Sequence, residues 1–376
     1  GYLWIEESNT TSTQETTILS GEEMVLRNEF FEILINEQTG GIQHLKGYGR
    51  TPNRLSQHLA FRFQQEKQYH PYPEQPEEVR RTNYALSRLT DCQLTSTGPA
   101  LGEMVTTCEL YDPEDGSVIA TATTRYRVWR SRPILEMEVE ITPLQEPEGD
   151  PWSCYYASRF AWKHESSVLT RGLLQGAHGL QGERFEAPYY LEIADSSRRT
   201  TILSDGVSCY RRSGARMVDT ILIPAGESQR KFSFWIAFDE DYPLQAAHQM
   251  LMPPLAISYD KAPRRETGWF LRLKEKNIQI LNFEPLVPDP LKHSSQDRKG
   301  YSVRLLETEG RSRRVKLRLL KAPIAARKRD LLGNTVEELP VQKEYVIISM
   351  RGHEMANIDL IYSEPAAESD TSEATD

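Results

Sequence analysis

From about residue 25 onward, apolar and polar positions alternate with a period of two, the pattern of strands that have one buried and one wet face. Phe31, Ile33 and Ile35 alternate with Glu32, Leu34 and Asn36, and Ile42 resumes the apolar pattern. Between them Gln38-Thr39-Gly40-Gly41 supplies residues that tolerate positive φ, which predicts a β-hairpin over 26–46. Tyr126 and Val128 alternate with Arg125 and Arg127, and Leu135, Met137, Val139 and Ile141 alternate with Glu136, Glu138 and Glu140. The run Arg230 to Asp239 is rich in aromatic and β-branched residues and predicts a more buried strand after the turn Pro224-Ala225-Gly226-Glu227. One helix is predicted, over Asp241 to Met252, with Asp241 as cap, Pro243 in the first turn, and Leu244, Ala247, Met250 and Leu251 on one face.

Breaks in the alternation place the loops. His70 to Arg81, Gln145 to Trp152 and Pro285 to Gly300 are rich in proline and polar residues. Further strands are predicted near 278–283, 301–306, 314–320, 345–348 and 356–362. The spacing predicts an all-β chain divided near residue 275. A large sandwich spans 21–275 and a small one 276–362, with 1–20 as a linker and the acidic stretch 363–376 as a disordered tail.

Composition narrows the partners. Of the 376 residues 38 % are hydrophobic and 26 % charged, as in a globular chain, and no apolar run approaches the roughly 18 residues of a membrane span. The net charge of −9 argues against nucleic acid, whose phosphates need a cationic surface. The densest basic stretch, Arg311 to Arg318, alternates with Val315 and Leu317 and reads as the wet face of a strand. Cys92, Cys108, Cys154 and Cys209 are scattered without zinc-site spacing, and read as buried free thiols, although Cys92 and Cys108 lie in neighbouring strands. Asn9-Thr10-Thr11 is an isolated match to the glycosylation pattern.

Several segments, taken in order, resemble the C-terminal β-sandwich region of glycoside hydrolase family 38, the α-mannosidases. They are Gly1 to Ile5, the hairpin with its Thr39-Gly40-Gly41-Ile42 turn, Asn53-Arg54-Leu55, the R-L-x-E-x-x-G strand and turn at Arg304 to Gly310, Asp330 to Gly333, and Met350 to Ala356. The resemblance implies a galactose-mutarotase-like supersandwich followed by a smaller β-sandwich. It also implies a parent enzyme whose catalytic domain, upstream in the same polypeptide, holds zinc and two catalytic Asp. No H-x-D, H-E-x-x-H or βα alternation occurs in this chain. The expectation is therefore a non-catalytic portion with no catalytic residue, metal ligand or cofactor of its own, bracing the catalytic domain and contributing to a site for α-mannoside glycans.

Two segments carry candidate carbohydrate contacts. Cys154 to His164 combines aromatic and basic side chains, and Arg159 with Trp162 would line a saccharide groove if a bulge brought them together. On strand alternation Phe160 and Trp162 are instead core. A loop after Thr200 to Leu203 carries Asp205, Arg211 and Arg212. In Golgi-type members of the family a paired-arginine stretch approaches the substrate. The corresponding strand here, Val218 to Pro224, lacks it, so Arg211 and Arg212 are candidates to replace it, with Asp205 as an alternative structural partner. An independent carbohydrate-binding module remains an alternative, as does a mutarotase-like epimerase using His164 or His178 with Glu183 or Glu186.

Overall fold

The computed structural model describes residues 2–5, 24–48, 51–64, 82–195, 198–286 and 299–363. Nearly every element is an antiparallel strand, and the chain forms two compact units, Ser12–Pro253 and Pro254–Asp376, the latter joined by Gly1–Thr11. The division thus falls at Pro253, upstream of the boundary expected near 275. Short strands at Thr267–Gly268 and Leu271–Arg272 belong with the second unit, and Tyr2–Leu3, expected as linker, pairs with the first of them.

The larger unit is a sandwich of an eight-stranded and a nine-stranded sheet. The first runs in the order Arg184–Glu186, Cys209–Gly214, Met217–Pro224, Tyr155–Ala161, Leu55–Arg62, Ile42–Gly47, Phe31–Ile35, Val25–Arg27. The second contains the long meander Leu86–Thr97, Leu101–Tyr111, Val118–Trp129, Ile134–Pro143, continued by Lys231–Phe238 and Arg199–Ser204. The inward faces meet in one core that includes Phe31, Ile33, Ile35, Tyr126, Met137, Val139, Tyr156, Phe160 and Phe234. These are the positions the alternation marks as apolar, because burial on one face of a pleated strand selects every second residue.

The expected hairpin is present, and its turn residues each have a task. Asn36 accepts the N–H groups of Gln38 and Thr39 on its side-chain oxygen at 2.8 and 3.0 Å, while Gly40 takes φ +72°. The Gly40 carbonyl then accepts hydroxyls from Thr106 (3.0 Å) and Tyr126 (3.1 Å) of the opposite sheet, which pins the turn across the sandwich. Any side chain at Gly41 would strike the backbone of Gln57.

The helix runs Pro243–Leu251. Tyr242, not Asp241, occupies the N-cap position and makes no side-chain cap, and the Asp241 carboxylate instead accepts from Arg199 at 2.8 Å. Leu244 and Ala247 pack on Tyr190, Leu203 and Ala237. No described helix is long and apolar enough to cross a membrane. All four cysteines are free, so Cys92 and Cys108 are not bonded.

The smaller unit carries a four-stranded and a five-stranded sheet around Val303, Leu305, Val315, Leu317, Val346, Ile348, Ile358 and Leu360. Within it, Ala325–Arg329 and Thr335–Glu338 form a hairpin that the alternation does not reveal, with Asp330 to Gly333 as its turn. In the strand Arg313–Leu319 the basic residues face outward and Val315, Leu317 and Leu319 inward, as expected. Most of the expected loops at 70–81 and 285–300, the tail 364–376 and Asn9-Thr10-Thr11 lie outside the described residues.

Candidate functional site

The outward face of the eight-stranded sheet gathers charge. In register across five neighbouring strands stand Arg184, Arg211, Asp219, Arg159 and His58. Strand pairing alone produces this row, since residues opposite one another share a face. Asp219 is fully buried at its centre. Its carboxylate accepts Nε and Nη2 of Arg159 at 2.7 and 3.0 Å, the Tyr155 hydroxyl at 2.9 Å, the Ser213 hydroxyl at 3.1 Å and the Tyr84 hydroxyl at 3.3 Å. The Arg159 guanidinium lies over the Tyr84 ring, 3.7 Å from its centroid, and Arg62 reaches the Tyr84 hydroxyl at 3.1 Å.

The titration behaviour follows from these contacts. Burial opposes the charge on Arg159, yet hydrogen bonds and attraction from Asp219, with Tyr84 and Tyr155, raise its pKa above the ordinary guanidinium value. Burial and then the Asp219 charge push the Tyr155 phenol well up. His58 is lowered to about 4, first by burial and then by the neighbouring Arg159 charge, with Asp219 partly opposing. The imidazole is therefore neutral at pH 7.

Arg211, next in the row, is spent on the rim. Its Nε and Nη2 bind Glu183 at 2.8 and 2.5 Å, and its Nη1 donates to the Trp152 carbonyl at 2.7 Å. Arg184 sits 6.0 Å from the centroid of the Trp152 ring. With five donors around Asp219, its oxygens have no lone pair to spare for a nucleophilic or general-base task. The network around Asp219 fixes guanidinium and aromatic groups in place, although the Arg62 Nε–H within it is buried without a partner. Among the described residues no three His, Cys, Asp or Glu side chains converge as metal ligands would.

Of the five candidate contacts, the structure brings Arg159 and Arg211 onto this face, on either side of Asp219. Trp162 is not with them. The strand Tyr155–Ala161 keeps its alternation to the end, so the indole turns toward the core and is 6 % exposed. Arg211 and Arg212 lie on a strand, Cys209–Gly214, where a loop was expected. Arg212 alternates off the row and donates to the Ala215 carbonyl at 3.0 Å. Asp205 is exposed at the preceding turn and pairs with neither arginine. His178 stands on an edge strand of the nine-stranded sheet and Glu186 on an edge strand of the eight-stranded one.

Sequence reasoning passes over Asp219, Tyr84 and His58. The signal for Asp219 was present, because a carboxylate inside the apolar run Val218 to Ile223 must be paired if buried. Tyr84 and His58 have no comparable signal, since their place depends on which strands become neighbours.

No family model matches the sequence, and no curated protein matches it. Among solved structures, a protein of glycosyl hydrolase family 38 from Enterococcus faecalis superposes with a TM-score of 0.68 at 10 % identity, over 94 % of this chain and 46 % of that one. An alpha-mannosidase from Enterococcus faecalis gives 0.65 at 10 % identity, over 92 % and 43 %. The chain spans a little under half the length of each, and what it shares with them is the fold.

Proposed function

We propose that this chain is the non-catalytic C-terminal β portion of an α-mannosidase-like glycoside hydrolase of the family 38 type. In this reading it braces a zinc-dependent catalytic domain of the same polypeptide and contributes to the rim of its carbohydrate site. The observation that carries the reading is the fold likeness over 94 % of this chain and under half of the partner structure, which is what one structural portion of a larger enzyme would give. The outward face of the eight-stranded sheet supports it. Retaining glycoside hydrolysis requires two available carboxylates about 5–5.5 Å apart. The central carboxylate of this face is instead saturated by donors and so is not available as either of them.

The test compares this chain with the complete encoded polypeptide on an aryl α-mannoside, each with added zinc. The expected result is turnover by the complete polypeptide and none by residues 1–376 alone. Turnover by the chain alone, or a gene that encodes no further catalytic domain, would overturn the proposal.

A further inference from the structure

At one end of the larger sandwich two buried donors stand without partners. Trp162 follows the strand Tyr155–Ala161 and Arg54 precedes the strand Leu55–Arg62, and the two strands pair side by side. The Trp162 indole Nε1–H is buried and makes no hydrogen bond. Arg54 turns its two terminal nitrogens to Asp239, at 2.9 and 2.6 Å, and one of them also to the Arg199 carbonyl at 3.2 Å. Its Nε–H is left buried and unpartnered. Both residues line a recess of about 20 Å³, which shares His164, Asp195 and Arg198 with a cleft of about 510 Å³.

The recess has room for about one oxygen atom. The indole N–H and the guanidinium N–H can only donate, so their occupant must accept from both; one water can do this, as can one oxygen of an oxyanion, and only the oxyanion also answers the cations at the mouth. A buried donor left unpaired costs free energy, and an occupant that accepts from both removes that cost. Around the mouth, Lys163 and Arg198 make no side-chain hydrogen bond or ion pair among the described residues; the Asp195 carboxylate lies beside them, and Arg198 also feels the charge of Asp239. Arg54 is already neutralised by Asp239.

We infer that this cleft binds a small ligand bearing an oxyanion, a phosphate, sulfate or carboxylate group. One oxygen sits in the recess on the Trp162 and Arg54 N–H groups, and the remaining charge faces Lys163 and Arg198. The site does not rest on the family reading, and its failure would leave that reading untouched.

Calorimetric titration of the 376-residue chain with inorganic phosphate, methyl sulfate and acetate, at constant ionic strength, tests it. Saturable one-to-one binding of at least one of them is expected, and the three arms tell which oxyanion the site prefers. Trp162→Phe keeps an aromatic ring and deletes the donor, while Arg198→Gln removes charge at the mouth without touching the core. Each is expected to weaken binding by about fivefold or more. Arg198→Gln keeps the test decisive if Trp162→Phe folds poorly. Failure of all three anions to saturate, or binding unchanged in the folded variants, would overturn the inference.

Discussion

Asp219 shows how a single residue organises a sheet face. It is buried beside a cation that is 8 % exposed, so neither charge is tolerable without the other. Asp219→Asn should cost about 3–5 kcal/mol, read as a drop in the urea midpoint, because it leaves the Arg159 guanidinium buried and uncompensated. Replacing both with apolar residues should cost much less, and equal losses in the single and double variants would contradict this. His58 adds a pH dependence. Its folded pKa of about 4 lies below the ordinary 6.5, so the unfolded chain binds its proton first as the pH falls. Stability is unaffected by this group above pH 6.5, falls between 6.5 and 4, and levels off below. The loss between pH 7 and 5 should be about 2 kcal/mol, and His58→Gln should remove that part of the slope in urea titrations. Residues of this kind were half legible. A charged residue in an apolar run announces that it needs a partner, but not that the partners are Tyr84, Ser213 and, from one strand, Tyr155 and Arg159.

At the scale of elements, two segments singled out in sequence turn out to be one structural knot. Glu307, in the strand Lys299–Glu307, is fully buried. Its carboxylate accepts Asn277 Nδ2 at 2.7 Å and the backbone N–H groups of His353, Glu309 and Arg311 at 2.8, 3.0 and 3.1 Å. Burial alone would raise its pKa, but these donors hold it below the ordinary carboxylate value. The knot explains the glycines. Gly310 takes φ +70°, and a side chain at Gly352 would collide with the Gly310 backbone. Glu307→Gln should therefore destabilise the smaller unit by about 2–4 kcal/mol, since an amide cannot accept from all four donors without turning its own N–H₂ toward them. The same change at exposed Glu337 should be near neutral, and thermal unfolding of both variants checks the contrast. Strand existence was legible because period-two burial is local. The hairpin Ala325–Arg329 with Thr335–Glu338 was not, because the edge strand Thr335–Glu338 is exposed on both faces and its partner buries only Ala326, which leaves no alternation to read.

For the whole molecule, the alternation and turn chemistry determined a nearly all-β chain, with the helix near Pro243 and the hairpin turn at Gly40-Gly41. Those properties depend on neighbours within a few residues, and so can be read along a line. Only the tertiary structure decided where the units divide, that Tyr2–Leu3 joins the second of them, and that Arg159 and Arg211 face Asp219 while Trp162 turns away to end beside Arg54. Each of these is set by which strands lie side by side. That choice is made by long-range burial of the two sheet faces against each other, a quantity no stretch of sequence contains by itself.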